Sequence, residues 1–256
     1  MRGADQANST NAWQFWVDRG GTFTDIVALR PDGSLTTAKL LSENPERYGD
    51  AAVHGILALL DEAPANARQV AAVKMGTTVA TNALLERDGA RTVLIITEGL
   101  GDSLRIGYQN RPDIFALDIR LPAMLYSLVV EADERVSASG NIVKPLNAQR
   151  LEKDLEHARA AGCTSAAIVL MHGYRYPAHE QRAAEIARRI GFEQVSVSHM
   201  TSPLMKIVSR GDTTLVDAYL SPVLRRYVGQ VRDGLASVLG AAPLLFMQSH
   251  GGLARA

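Results

Sequence analysis

Cysteine is almost missing from this chain: Cys163 stands alone among 256 residues. No disulfide can therefore form within it, which fits a reducing compartment. Aromatic residues supply only 5% of the sequence, and no apolar run approaches the ~18 residues that suggest a membrane span. Neither sign of charge is in excess, with Lys+Arg and Asp+Glu at 27 each. A balanced chain offers no electrostatic reason to expect nucleic acid or an anionic membrane as partner. Residues 1–11 are polar, lack the apolar stretch of a signal peptide and are expected to be disordered. The histidines do not cluster in a zinc pattern, and His172, His179, His199 and His250 read as surface or core residues. A Gly-x-Ser-x-Gly elbow is also missing. Cys163, after Ala-Gly beside an expected strand, reads as a buried structural thiol. These absences leave a cytoplasmic globular protein of ordinary apolar content, 46%.

What is present is an α/β alternation. Trp13 to Val17 and Ile26 to Leu29 read as strands around a Gly-Gly turn. Pro31-Asp32-Gly33 then leads to a third strand at Ser34 to Leu41, so the chain opens as an antiparallel meander. Asn44-Pro45 is expected to start a helix reaching about Leu60, with Asn44 as its cap. A strand is expected at Val70 to Met75, a helix at Thr77 to Arg87 and a buried strand at Arg91 to Thr97. Glu98 to Pro112 reads as a polar loop, and Leu121 to Ile142 as strand and turn with a tip at Ser139-Gly140-Asn141. Helices at Asn147 to Ala161 and Pro177 to Ile190 alternate with strands at Ser165 to Met171 and Gln194 to Ser198. Asp212 to Leu239 carries a helical pattern, capped by Asp212 or Thr213, with a break or kink expected at Pro222. A strand at Leu244 to Met247 followed by Gly251-Gly252 suggests a fragment of something longer.

The segment Asp18-Arg19-Gly20-Gly21-Thr22-Phe23-Thr24-Asp25 concentrates chemistry. Gly20 and Gly21 carry no side chain to obstruct a ligand, and a tight turn there can aim backbone N–H groups at phosphate oxygens. Alternation puts Thr22 and Thr24 on one face as hydroxyl donors. Asp18 and Asp25 flank the turn, and carboxylates beside phosphate call for a cation such as Mg²⁺ with its waters. The plainer reading is a Gly-Gly hairpin with surface threonines. A second candidate is Lys74-Met75-Gly76-Thr77-Thr78-Val79-Ala80-Thr81-Asn82, where Gly76, Thr77, Thr78 and Thr81 meet an expected helix start. Anion binding and a simple N-cap are equally open there. A third is Arg105-Ile106-Gly107-Tyr108-Gln109-Asn110-Arg111-Pro112, where arginines and amides could read a carboxylate and a lactam, or which could be an ordinary solvated loop.

The Asp-x-Gly-Gly-Thr-x-Thr-Asp turn in a β-meander resembles the first phosphate motif of the actin-like ATPases. Its Gly-Gly-Thr-Phe-Thr-Asp form resembles the hydantoinase A/5-oxoprolinase branch. The stretches Gly76-Thr77-Thr78 to Asn82-Ala83, Gln109-Asn110-Arg111-Pro112, Ser209-Arg210-Gly211-Asp212 and Gln248-Ser249-His250-Gly251-Gly252 are similar to segments of the same family. His250 departs from the acidic or amide residue more usual there, and Arg210-Gly211-Asp212 resembles the 5-oxoprolinase side.

The resemblance implies an actin-like (ribonuclease H-like) α/β domain over 12–200, with a mixed sheet, and the start of a second lobe from 201. It also implies ATP and Mg²⁺ as cofactors and ATP-dependent opening of a cyclic amide, 5-oxo-L-proline first and a hydantoin second, with a place in glutathione metabolism. A hydantoinase B-like partner and an oligomer are implied with it. Asp18 and Asp25 would act on the metal and in catalysis. Arg19, Gly20, Gly21, Thr22, Thr24, Gly76, Thr77 and Thr78 would hold nucleotide. Thr81, Asn82, Arg105, Tyr108, Gln109, Asn110 and Arg111 would face substrate. A second phosphate turn is expected beyond Ala256, so a piece of this length could also be a non-catalytic binding or packing module.

Overall fold

The computed structural model describes residues 12–109, 115 and 117–256. The segment 1–11 and the candidate residues Asn110 and Arg111 lie outside them. In chain order the strands and α-helices are β1 (Trp13–Arg19), β2 (Phe23–Leu29), β3 (Leu35–Leu41), α1 (Ala51–Asp61), β4 (Val70–Thr77), α2 (Val79–Leu85), β5 (Thr92–Thr97) and α3 (Ser103–Ile106). There follow β6 (Tyr126–Ala132), β7 (Arg135–Val136), β8 (Ile142–Lys144), α4 (Ala148–Ala160), β9 (Ser165–Val169), α5 (Ala178–Ile190), β10 (Gln194–Val197), α6 (Ser198–Thr201), α7 (Ile207–Leu239), β11 (Leu244–Met247) and β12 (Leu253–Arg255). The chain divides into two compact units, one of Met1–Glu86 with Leu224–Ala256 and one of Arg87–Val223.

The first unit is built on a six-stranded sheet ordered β12-β11-β4-β1-β2-β3. The expected meander is there: β1, β2 and β3 pair antiparallel, while β4 pairs parallel with β1 and with β11. Alternation puts Trp13, Phe15 and Val17 of β1 and Ile26 and Ala28 of β2 on one buried face. Ile56, Leu59 and Leu60 of α1 cover it, with Tyr227, Val231, Leu235 and Leu239 from the end of α7. Gly55 lets α1 lie close, because a Cβ there would drive into the side chains of Ile26 and Leu40.

The second unit holds a four-stranded parallel sheet ordered β10-β9-β5-β6. Its central strands are covered on both sides, which explains the uninterrupted apolar run Val93–Ile96. Leu151 and Leu155 of α4 and Ala183 and Ile186 of α5 pack on one face. Leu215 and Ala218 of α7 and Leu104 of α3 pack on the other. The β7–β8 pair forms the hairpin expected around Ser139-Gly140-Asn141, with Gly140 at φ 89. Cys163 is buried as expected, and burial pushes its thiol pKa up.

Four expectations need correction. The first helix begins at Ala51, not Asn44. Asp50 is its N-cap, accepting from the Val53 amide, while Asn44 bridges to Tyr48 in a turn that contains Pro45. The polar loop after β5 contains the short helix α3. The long helix starts at Ile207, so neither Asp212 nor Thr213 caps it; Thr213 and Thr214 bond back to the Ser209 and Arg210 carbonyls. Nor does Pro222 break it: the helix is continuous to Leu239. A proline has no N–H to give the carbonyl four residues back, here that of Ala218; the next carbonyl, that of Tyr219, accepts the Ala90 amide at 2.9 Å.

Buried charges hold the turn that follows β9. Arg210 is fully buried and donates to the carbonyls of Leu170, Met171 and Leu204 at 2.6–3.1 Å. Glu180, also fully buried, accepts from the Leu170 amide, the Ser198 hydroxyl and the His199 amide and ring. Thr97 accepts from the Met171 amide and donates to Glu134, whose second oxygen meets His179. Each backbone polar group of Leu170 and Met171 is thereby satisfied, as buried groups must be.

A surface network joins Glu98 and Asp133 to Lys144 and Arg150. Hydrogen bonding to Lys144 holds both carboxyls below their ordinary values of 4.5 and 3.8. A depressed folded pKa contributes stability above the unfolded value and loses it as pH falls through the folded one. The melting-temperature gap between the parent and Lys144→Met is therefore expected to be present near neutral pH and to close well below pH 3.8. Added salt should shrink it too, since the Glu98, Lys144 and Arg150 side chains are exposed to solvent.

Candidate functional site

The hairpin motif sits at the β1–β2 turn of the first unit. Asp18 and Asp25 are cross-strand partners, so their carboxylates share the exposed face of the sheet. On the other side of β1, Asp18 pairs with Gly76 of β4, and a Cβ on Gly76 would lie 3.6 Å from the Asp18 Oδ1. Lys39, opposite Asp25 on β3, reaches both oxygens of that carboxylate at 2.8 and 3.0 Å. Asp18 takes part in no ion pair among the described residues.

The turn draws the 74–82 segment to itself. Both the amide and the hydroxyl of Thr78 donate to the Arg19 carbonyl, at 3.1 and 3.3 Å. Thr77 accepts from the Val79 amide, so its hydroxyl does helix-start work. A Cβ on Gly21 would come within 2.9 Å of the Asn82 amide nitrogen. Gly20 and Gly21 are therefore needed for space: neither has a positive φ, and the Gly20 amide is taken by the Phe23 carbonyl at 3.0 Å. Thr22 and Thr81 are exposed. Thr24 is fully buried beneath the turn, 3.0 Å from the Ser42 hydroxyl, which donates to the Gly20 carbonyl.

Arg19 takes the opposite face from Asp18. Its Nε lies 3.8 Å from Asp50 and its guanidinium 5.0 Å from the Tyr227 ring centre. Burial, reinforced by Asp50, pushes the Tyr227 hydroxyl pKa up and keeps it protonated. Sequence reading missed Lys39, Ser42, Asp50 and Tyr227. Lys39 alone left a usable signal, at an alternating position of the strand paired with Asp25.

Arg105, Tyr108 and Gln109 belong to the second unit. The Tyr108 hydroxyl lies 2.7 Å from that of Ser209, which joins this loop to the Ser209-Arg210-Gly211 motif. Gly211 makes room for Leu104, 2.8 Å from where its Cβ would be. Gln109 holds a left-handed φ of 59, a strained state for a non-glycine residue. Among the described residues no three His, Cys, Asp or Glu side chains gather as a metal site, and no helix is long and apolar enough to cross a membrane.

The chain is 42% identical to 5-oxoprolinase 1 of Arabidopsis thaliana over 94% of its length. It is 38% identical to the 5-oxoprolinase of Saccharomyces cerevisiae over 93%. It spans only 21% of either protein. The crystal structure of the ATP-dependent caprolactamase from Pseudomonas jessenii superposes with a TM-score of 0.80 at 31% identity, over 94% of this chain and 36% of that one. A nucleotide-free acetone carboxylase shares the fold, with a TM-score of 0.78 at 22% identity over 94% of this chain and 37% of that one. The α/β fold with its N-terminal meander and mixed sheet is thus the one expected. Residues 14–191 match the hydantoinase/oxoprolinase N-terminal region and residues 210–256 match hydantoinase/oxoprolinase. With both turn motifs inside the longer of these matches, the chain belongs to the hydantoinase/oxoprolinase family.

Proposed function

We propose that this chain supplies part of the ATP site of a cytoplasmic ATP-dependent cyclic amidohydrolase, opening 5-oxo-L-proline to L-glutamate as ATP becomes ADP and phosphate. The observation that carries this reading is the meeting of the 18–25 hairpin and the 74–82 segment on one ledge of the first unit. A lactam carbonyl is unreactive because nitrogen feeds it electron density. Phosphorylating its oxygen makes the carbon open to water, so catalysis is chiefly positioning and charge neutralisation around the transferred group.

The residues present suit such a site. Mg²⁺ favours one or two carboxylates, retained waters and phosphate oxygens, and when bound it neutralises phosphate charge. Asp18 would hold it through water, and Asp25 would share its charge between the ion and Lys39. Gly20, Gly21, Thr22, Gly76, Thr77 and Thr78 would border the phosphates, with Arg19 and Thr24 supporting the turn from beneath. Thr81, Asn82, Arg105, Tyr108, Gln109, Asn110 and Arg111 are the proposed substrate-side residues. Division of the chain near 200 into an N-terminal region and the opening of a second belongs to the same proposal, as does a hydantoinase B-like partner for ring hydrolysis. The likeness to a caprolactamase favours another cyclic amide, such as a hydantoin, as second reading.

Isothermal titration with Mg·ATP tests the site. The parent chain is expected to bind, and Asp18→Ala and Gly21→Val to weaken binding about tenfold or more, the scale of one charge-assisted contact. Equal binding by all three would remove the hairpin from the nucleotide site. No binding by a well-folded parent would favour a packing module instead.

A further inference from the structure

The second unit contains a cleft of about 760 Å³ between the segment that follows β5, with α3, and the edge strand β6 from Tyr126 to Glu131. A concave surface with an apolar wall and a few polar groups is the usual form of a small-ligand site. Leu100, Ile106 and Val129 give it an apolar wall, and Asp102, Arg105 and Glu131 bring charge to it. Arg105 makes no hydrogen bond or ion pair among the described residues. Asp102 is equally free: it sits at the N-cap of α3 yet its side chain caps nothing. Glu131 spends one oxygen on the Gly99 and Gly101 amides, at 3.1 and 2.9 Å, which fixes the carboxylate and leaves the other oxygen available. The half-buried Tyr126 also lines the cleft, its hydroxyl pKa raised by burial.

One guanidinium and two carboxylates facing a common space select among small ligands. A simple anion meets two like charges, and a simple cation meets Arg105. A molecule carrying both signs satisfies both. We infer that this cleft binds a small zwitterionic amino acid, its carboxylate on Arg105, its ammonium on Asp102 and Glu131, and its aliphatic stem along Val129 and Ile106. Opening a cyclic amide uncovers one amine and one carboxylate, so a lactam's product carries this pair of groups, L-glutamate with one further carboxylate. The inference rests on the proposed function for the ligand's origin but not for its binding.

Titration of the full chain without nucleotide tests it, using L-norvaline, pentanoate and butylamine, which share a carbon stem and differ in charge. L-Norvaline is expected to bind about tenfold tighter than either single-charge analogue, one charge-assisted contact being worth at least that. Arg105→Met should reduce norvaline to the level of butylamine, and Asp102→Asn with Glu131→Gln to that of pentanoate. Glu131→Gln keeps the acceptor for the two glycine amides, so the loop stays in place. Butylamine binding as well as norvaline would make this a cation site and overturn the inference, as would the absence of norvaline binding at tens of millimolar. Neither result bears on Mg·ATP at the hairpin, which is measured separately.

Discussion

Arg210→Ala is expected to destabilise the second unit by about 3–5 kcal/mol, the usual consequence of breaking a buried charged network. The Met171 and Leu204 carbonyls, both part-buried, would lose the Arg210 donor, and the buried Leu170 carbonyl would keep only the Gly173 amide. Each buried acceptor left unmade costs about 1–3 kcal/mol, with only partial relief from water entry. The side chain's volume would also be lost from beside the Tyr174 ring, 5.4 Å from the guanidinium. Arg210→Lys should recover less than half, because an ammonium cannot present a planar fork to carbonyls on two segments. Urea unfolding of the two variants, with the slope unchanged, gives the measurement. A loss below about 1 kcal/mol for the alanine variant would mean the carbonyls find other donors.

Gly89→Ala is the second large effect, expected at about 1–3 kcal/mol from overpacking. The added Cβ would fall within the ring of Tyr219, which is 6% exposed and cannot swing away. The same residue's carbonyl receives the Ala90 amide, so the ring and the backbone clasp work as a pair. Removing the ring should remove the penalty: in a Tyr219→Ala background, Gly89→Ala is expected to cost little. A double-mutant cycle reads that coupling directly. Additivity of the two changes would show that the segment between α2 and β5 shifts to accommodate the methyl.

Periodicity and turn chemistry made the strands legible, because residues such as Phe15, Ile26 and Val93 alternate or run together according to how many faces of their sheet are covered. Helix starts were less so. Asn44-Pro45 has the chemistry of a helix start, but Tyr48 folds back to bond the Leu41 carbonyl, and the helix waits for Asp50. The candidate site was legible as a list and not as a geometry. Thr22 and Thr24 were expected on one face, yet Thr22 is exposed before β2 begins and Thr24 is buried against Ser42. No local signal tells which side of a sheet is covered when the covering helix is distant in sequence. Arg210 was visible as part of a motif, but its buried partners include the Leu170 carbonyl, 40 residues away.

The route of the chain has a consequence for how the protein is made. The first unit is left at Glu86 and re-entered at Leu224, so Val73 must wait about 170 residues for its β11 neighbour Leu244. The second unit is contiguous and can complete its parallel sheet as soon as it leaves the ribosome. During that interval β4 presents an unpaired edge, the kind of surface that recruits foreign strands. Slow synthesis through 87–223 would lengthen that exposure. The hairpin that carries Asp18 is thus made long before β11, the strand that pairs with β4 in the sheet beneath it.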